Sequence, residues 1–336
     1  MSEQRSREIR LASRPVGLPN ASHFELATVP VRAPGDGEIV VRNEWMSVDP
    51  YMRGMMIDQK SYARPFQVGE VMDGRAVGRV VASRSPQFAE GDYVFHMHGW
   101  RDYAVAPAEG FEKVDPALAP VEAFLGALGA PGLTAYVGLM RIAELKDGDA
   151  VFVSAAAGAV GSVACQLAKA RGCYVVGSAG SDDKCSWLLD EAGIDAALNY
   201  RTCGDLTEAV GHAFPKGIDV NFENVGGPHL VAALNHMNTF GRIALCGMIA
   251  QYNDVTPSPG PSNLSLAIMR SLKLQGFVVR NHLDLKPQFM AEAGALIKAG
   301  KLKRRETVEE GLENAPRAFL KLFSGENFGK MLVHIA

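Results

Sequence analysis

The stretch that most restricts how this chain can fold runs from Ala150 to Gly172. Ala150-Val151-Phe152-Val153-Ser154 is an apolar run of strand length, Ala155-Ala156-Ala157-Gly158-Ala159-Val160-Gly161 is a turn of small residues, and Ser162–Ala170 has helical patterning with Gly172 placed to end it. A strand entering a helix through a glycine turn opens a dinucleotide-binding βα unit, because the free N–H groups at the helix start attract a phosphate. Aligned on G-x-G-x-x-G, the segment reads Ala156-x-Gly158-x-x-Gly161, with alanine in the first position. Gly158 is then the position where backbone approaches a pyrophosphate, and Gly161 the one where the helix packs on the strand. Such a turn also occurs as a plain strand–helix connection, so the decision rests on the pattern of the chain beyond it.

Beyond Gly172 short apolar runs alternate with helix-length segments. Strands are expected at Ala150–Ser154, Tyr174–Gly177, Ala196–Leu198, Ile218–Phe222, Arg242–Cys246 and Leu274–Val279. This is the pattern of a doubly wound parallel sheet, an α/β class. Before about residue 125 the runs are instead strand-like and broken by turns, as in Glu38–Arg42 and Ala76–Val81, with Pro34-Gly35-Asp36-Gly37 ahead of the first. After Gly300 an amphipathic stretch with Leu312, Ala315, Phe319, Leu320 and Phe323 leads to a closing strand at Lys330–Ile335. The expected plan is a β-rich domain made of residues 1–125 and 301–336 that encloses a parallel-sheet domain of residues 126–300.

The 336 residues are enough for two cores. A net charge of −3 without long runs of like charge predicts no nucleic-acid or anionic-membrane partner. With no membrane-length apolar stretch and no signal-peptide pattern, a cytoplasmic address is expected. The 5 cysteines show no zinc-type or redox-type spacing and read as reduced thiols.

An NAD site usually places an acid at the tip of the second strand. Here Tyr174-Val175-Val176-Gly177 runs into Ser178-Ala179-Gly180-Ser181, and Asp182-Asp183-Lys184 come next. The small residues leave room for a 2′-phosphate and Lys184 can neutralise one, which favours NADP over NAD; in the alternative the aspartates cap a helix and Lys184 is solvated.

The segments Ala155–Gly161, Gly180–Lys184, Asn199-Tyr200, Glu223-Asn224-Val225-Gly226-Gly227, Cys246-Gly247-Met248-Ile249 and Gln251-Tyr252-Asn253 occur in one order with Val48-Asp49-Pro50-Tyr51-Met52-Arg53-Gly54 before them and Glu326-Asn327-Phe328-Gly329-Lys330 after. In this the chain resembles, over nearly its whole length, the zinc-free medium-chain reductases of the leukotriene B4 12-hydroxydehydrogenase/prostaglandin reductase, alkenal double-bond reductase and curcumin reductase group. The resemblance implies a GroES-like catalytic domain plus a Rossmann domain with NADPH between them. By motif, Gly158 and Gly161 line the pyrophosphate turn, Lys184 and Tyr200 hold the 2′-phosphate, Asn224 and Cys246 lie along the cofactor, and Asn327 reaches it from the returning domain. Tyr252 sits by the substrate oxygen as hydrogen-bond donor, and Tyr51 lines the substrate entrance. Taken without the resemblance, Tyr200 reads as a strand-end aromatic, Asn224 as a turn former, Cys246 as a core thiol and Tyr252 as part of a polar turn.

The implied reaction is reduction of the carbon–carbon double bond of an α,β-unsaturated ketone or aldehyde, with a homodimer paired through Lys273–Val279. Quinone reduction and cofactor binding without turnover are the rival readings. No metal is expected: Gly69-Glu70-Val71-Met72-Asp73-Gly74 stands where zinc-dependent relatives carry Gly-His-Glu, and the His96-Met97-His98 pair lacks an identifiable third ligand.

Overall fold

The computed structural model describes residues 4–335. Along the chain come β1 (Arg5–Leu11), β2 (Phe24–Pro30), β3 (Glu38–Ser47), α1 (Met52–Met55), β4 (Ala76–Ser83), β5 (Tyr93–His96), β6 (Tyr103–Pro107) and β7 (Phe111–Lys113). Next are α2 (Ala130–Val137), β8 (Ala150–Val153), α3 (Gly161–Ala170), β9 (Tyr174–Ala179), α4 (Asp182–Asp190), β10 (Ala196–Asn199), α5 (Leu206–Ala213), β11 (Ile218–Glu223), α6 (Gly227–His236) and β12 (Met237–Leu245). The chain closes with α7 (Leu266–Met269), β13 (Lys273–Gly276), α8 (Lys286–Lys298), β14 (Glu306–Glu310), α9 (Ala315–Ser324) and β15 (Lys330–His334). The chain divides into two compact units, one up to Leu125 and again from Glu306, the other Gly126–Arg305.

The first unit carries the hairpin β1–β2 and a sheet in the order β14-β15-β3-β4-β5-β7, with β6 on β3. Its pairings are antiparallel except β14 on β15. Its core gathers Ile9, Leu11, Met46, Val48, Met52 and Trp100 from the N-terminal part with Leu312, Phe319 and Val333 from the C-terminal return. The amphipathic tail supplies this contact: in α9 Ala315, Ala318, Phe319 and Leu322 are buried while Arg317 is exposed.

In the second unit the strands stand in the order β10-β9-β8-β11-β12-β13, all paired in parallel. Phe152, Val176, Val210, Ile218, Leu230, Leu234 and Ile243 fill one core cluster. The strand order reverses between β8 and β11, so the loops leaving their carboxyl ends diverge and open the place where such sheets bind ligands.

Two of the expected boundaries that move do so for a reason visible in side-chain packing. The second unit extends to Arg305, because Gln166 of α3 clamps the returning chain: its amide donates to the Lys303 carbonyl (3.0 Å) and its oxygen accepts the Lys303 N–H (2.6 Å). Strand β13 ends at Gly276 instead of reaching Val279, since Phe277 turns onto Phe222, ring centroids 6.5 Å apart at 82°. Among the described residues no helix is long and apolar enough to cross a membrane.

Candidate functional site

The turn after β8 is built on backbone. Ala155 holds φ at +48°, a left-handed conformation that glycine tolerates better than alanine, so the fingerprint's missing glycine is felt one residue before Ala156. The Ala156 N–H donates to the Ser178 carbonyl (2.9 Å), tying the turn to β9, and the Gly158 N–H donates to the Ala155 carbonyl (2.9 Å). A Cβ on Gly161 would lie 2.3 Å from that same carbonyl oxygen, so only glycine lets α3 start this close to the strand. Among the described residues no side chain caps α3, leaving its first turn to other acceptors.

Beyond β9, Lys184 occupies the first turn of α4, whose cap is the Ser181 hydroxyl accepting the Lys184 N–H (3.4 Å). Asp182 is engaged: its carboxylate accepts the Asn199 side-chain amide at 2.7 Å. Asn199 also accepts the Arg201 N–H (3.1 Å), and the Tyr200 N–H donates to the Ala179 carbonyl (3.1 Å), which brings the end of β10 beside α4. Tyr200 lies over Gly180, where a Cβ would meet its hydroxyl at 2.7 Å. Burial pulls the Lys184 ammonium below the ordinary lysine range, and the Arg201 charge pulls it further. Lys184 and Arg201 thus bring two positive charges close together at the carboxyl ends of β9 and β10.

At the ends of β11 and β12 a buried carboxylate organises the loops. Glu223 accepts the Ser154 hydroxyl (2.7 Å), the Asn221 amide (3.0 Å) and the N–H groups of Val225 and Gly226 (both 2.8 Å). Asn224 is fixed by its own N–H on the Ser154 hydroxyl (2.8 Å) and its side-chain amide on the Ser154 carbonyl (2.7 Å). The segment after β12 is laced to this turn, with Cys246 and Gly247 N–H groups on the Glu223 carbonyl and Ile249 N–H on the Asn224 carbonyl. Burial, with the Glu223 charge, pushes the Cys246 thiol up to about 12, so it stays protonated. The Tyr252 hydroxyl accepts the Met248 N–H (3.3 Å) and lies against Gly247, where a Cβ would be 3.0 Å from it.

The first unit holds the remaining candidates. Tyr51 precedes α1, with the Arg75 guanidinium 5.3 Å from its ring centre, and burial raises its phenol above the usual tyrosine range. Arg75 also reaches Asp49 (3.4 Å), whose carboxylate accepts the Ser47 hydroxyl (2.6 Å) and the buried Lys330 ammonium (3.2 Å). Lys330 spends its other protons on the carbonyls of Val48 (2.8 Å) and Met331 (2.9 Å). Asn327 sits in the turn before β15 and donates to the Gly329 carbonyl (3.1 Å). His96 and His98 stack with centroids 5.9 Å apart, and His96 Nδ1 accepts the His98 N–H (3.1 Å). Among the described residues no three potential metal ligands gather.

Within the second unit, then, Gly158, Gly161, Lys184, Tyr200, Asn224, Cys246 and Tyr252 all lie beyond the carboxyl ends of β8 through β12. Tyr51 and Asn327 belong to the first unit. Sequence reasoning missed Arg201, Ser154, Glu223 and the Asp49–Lys330 pair. A carboxylate closing the apolar strand of β11 was the available signal for Glu223, whereas nothing local marks Lys330 as the partner of Asp49.

Comparison with known proteins agrees with this geometry. Residues 7–114 match a family model described as the N-terminal domain of oxidoreductase, and residues 159–295 one described as zinc-binding dehydrogenase. The chain is 44% identical over 323 residues to prostaglandin reductase 1 of Bos taurus, covering 95% of each. It is 41% identical over 339 residues to the NADP(+)-dependent 2-alkenal reductase of Nicotiana tabacum, covering 99% of this chain and 98% of that one. The crystal structure of CurA in complex with NADPH from Vibrio vulnificus superposes with a TM-score of 0.93 at 40% identity, covering 98% of this chain and 99% of that one. With a parallel sheet and loop architecture of this kind, and similarity spanning both units, the chain belongs to the zinc-free medium-chain dehydrogenase/reductases, in the group of the prostaglandin, 2-alkenal and curcumin reductases.

Proposed function

We propose that the protein is an NADPH-dependent reductase of the carbon–carbon double bond of α,β-unsaturated ketones and aldehydes. One observation carries the chemistry: the Tyr252 hydroxyl is held over Gly247 by the Met248 N–H, on a segment laced to the Asn224 turn at the carboxyl edge of the sheet. The relatives' activities toward alkenals and prostaglandins support the same reaction class.

The residues fit the cofactor. The turn containing Gly158 and Gly161 supplies a close backbone approach at a helix start for a pyrophosphate, and Lys184, Arg201 and Tyr200 frame a site for the 2′-phosphate. Asp182, which would otherwise favour a ribose hydroxyl, is occupied by Asn199. Bound NADPH supplies the hydride that the substrate's β-carbon accepts. As that carbon is reduced, negative charge moves through the conjugated system to the carbonyl oxygen, and Tyr252 donates a hydrogen bond to it there. The resulting enolate then takes a proton from solvent at its α-carbon. Asn224 and Cys246, held by the Glu223 network, line the cofactor side, and Cys246 contributes as a neutral thiol. For Tyr51 and Asn327, in the first unit, the roles toward substrate and cofactor are carried over from the family resemblance alone. We also place the enzyme in the cytoplasm as a homodimer, supported by the position of β13 at an edge of the sheet; a monomer in sedimentation at working concentration overturns the dimer.

The test follows NADPH and NADH consumption against enones, enals, quinones and saturated carbonyls, with products identified by mass and NMR. Saturated ketones that retain C=O, formed with NADPH preferred, are the expected result. Turnover of quinones alone, or NADPH binding without turnover, overturns it. Tyr252→Phe should lose on the order of 10²–10³ in kcat while keeping its melting temperature; full turnover with chemistry rate-limiting removes Tyr252 from its role.

A further inference from the structure

Tyr200 is exposed, yet its ring is held from two sides. Its hydroxyl lies against Gly180, and its ring meets that of His229 at 79° with centroids 5.1 Å apart. His229 stands in the first turn of α6, one residue beyond the Gly226-Gly227 pair, with its N–H on the Gly226 carbonyl (3.2 Å). It is only 5% exposed, and among the described residues its Nε2 has no hydrogen-bond partner. An unsatisfied buried imidazole nitrogen is unfavourable, so a packing or binding role has to offset it. The nearby carboxylate does not satisfy it: Glu223 accepts from Ser154, Asn221, Val225 and Gly226, and among the described residues His229 Nε2 has no partner. Burial moreover pulls His229 below the usual histidine range against the pull of Glu223. What remains is its shape against Tyr200.

We propose that His229 is a positioning residue for nucleotide selectivity: its ring is the wall that keeps Tyr200 over Gly180, in the orientation from which the tyrosine hydroxyl meets a 2′-phosphate beside Lys184 and Arg201. The inference rests on the reading of that pocket as the 2′-phosphate site. Without the imidazole, Tyr200 regains rotamer freedom that NADPH binding must then remove. NADH, which has no phosphate at this position, does not depend on that order.

The experiment is calorimetric titration of the full-length protein with NADPH and with NADH, for wild type, His229→Ala, His229→Phe and Lys184→Ala, with melting temperatures taken in parallel. His229→Ala should weaken NADPH by about tenfold, the size of one aromatic contact plus the freed rotamer, and NADH by less than about twofold. His229→Phe, which keeps a flat ring against Tyr200, should recover NADPH affinity to within about threefold of wild type. Equal weakening of both nucleotides, no weakening of either, or failure of phenylalanine to recover affinity each overturns the role of His229. Lys184→Ala separates the two levels. If it lowers NADPH preference while His229→Ala does not, only the histidine inference falls; if it leaves the preference intact, the reading of the pocket itself falls.

Discussion

Two buried carboxylates, one in each unit, are secured in opposite ways. At the carboxyl edge of the parallel sheet, Glu223, Ser154 and Asn224 sit at strand ends, and three of the four hydrogen bonds to Glu223 come from residues within three positions of it. In the β-rich unit, Asp49 is buried and, besides Arg75 at 3.4 Å, is paired with Lys330, 281 positions away. The first arrangement is local and leaves loop atoms facing outward for a ligand; the second is a long-range clasp closed only when the chain's end returns as β15. A site made of turns tolerates the loss of one bond better than a buried charge tolerates the loss of its partner, because the orphaned charge keeps its full desolvation penalty.

Lys330→Met tests that difference most severely. It leaves Asp49 with the Arg75 contact at 3.4 Å and the Ser47 hydroxyl, and it should cost about 3–5 kcal/mol in urea unfolding at neutral pH. Adding Asp49→Asn to that variant should recover at least about 1 kcal/mol, since the two sites share one contact. The pH dependence gives a second reading of the same pair. Burial alone would raise the Asp49 carboxyl, but Lys330, Arg75 and Ser47 together hold it below the ordinary carboxylate range. A carboxylate depressed in the folded state contributes stability that is present above its unfolded pKa, about 4, and is lost as pH falls through the folded value. The acid limb of the stability profile should therefore flatten in Asp49→Asn; an unchanged limb shows that the clasp does not govern acid unfolding.

Gly161→Ala is the counterpart in the parallel-sheet unit. Its added carbon would lie 2.3 Å from the Ala155 carbonyl oxygen and 2.9 Å from the Ala156 Cα, both backbone atoms that cannot rotate away. An overpacking cost of about 2–3 kcal/mol is expected, with loss of nucleotide binding, because the displaced element is the start of α3 itself. Should the variant keep wild-type melting and nucleotide affinity, the turn is looser than its geometry states.

Legibility in the sequence divides along the same line. Periodicity located β8 through β11 to within two residues because each carries a short apolar run, mostly buried in β8, β9 and β11 and half-buried in β10, and the glycine turn and Lys184 were readable as local chemistry. The start of β12 was not: Phe240 takes φ at +63° and the ladder shifts register between Ile218 and Val220, so Met237 joins the strand across an interruption that alternation does not predict. Arg201 was passed over because its meaning depends on Lys184, which only the pairing of β10 with β9 brings near. Lys330 lay inside a recognised motif, but its burial against Asp49 is a tertiary fact with no counterpart in spacing.

The finest test lies at Gly247, whose backbone is not in the left-handed region and can accept alanine. There the new carbon would approach the Tyr252 hydroxyl at 3.0 Å and the Asn224 carbonyl oxygen at 3.3 Å, close enough to move the tyrosine by a few tenths of an ångström without unfolding the loop. Alanine also restricts the unfolded chain, worth about 0.4–1 kcal/mol, so stability should stay level or rise slightly. Turnover should move the other way, falling by about three- to tenfold, since a donor displaced from the developing oxyanion loses part of its stabilisation. A Gly247→Ala protein that is as stable as wild type but slower separates the placement of Tyr252 from the integrity of the sheet edge. Equal turnover in the two proteins would mean that the hydroxyl's position over Gly247 is not what the reaction uses.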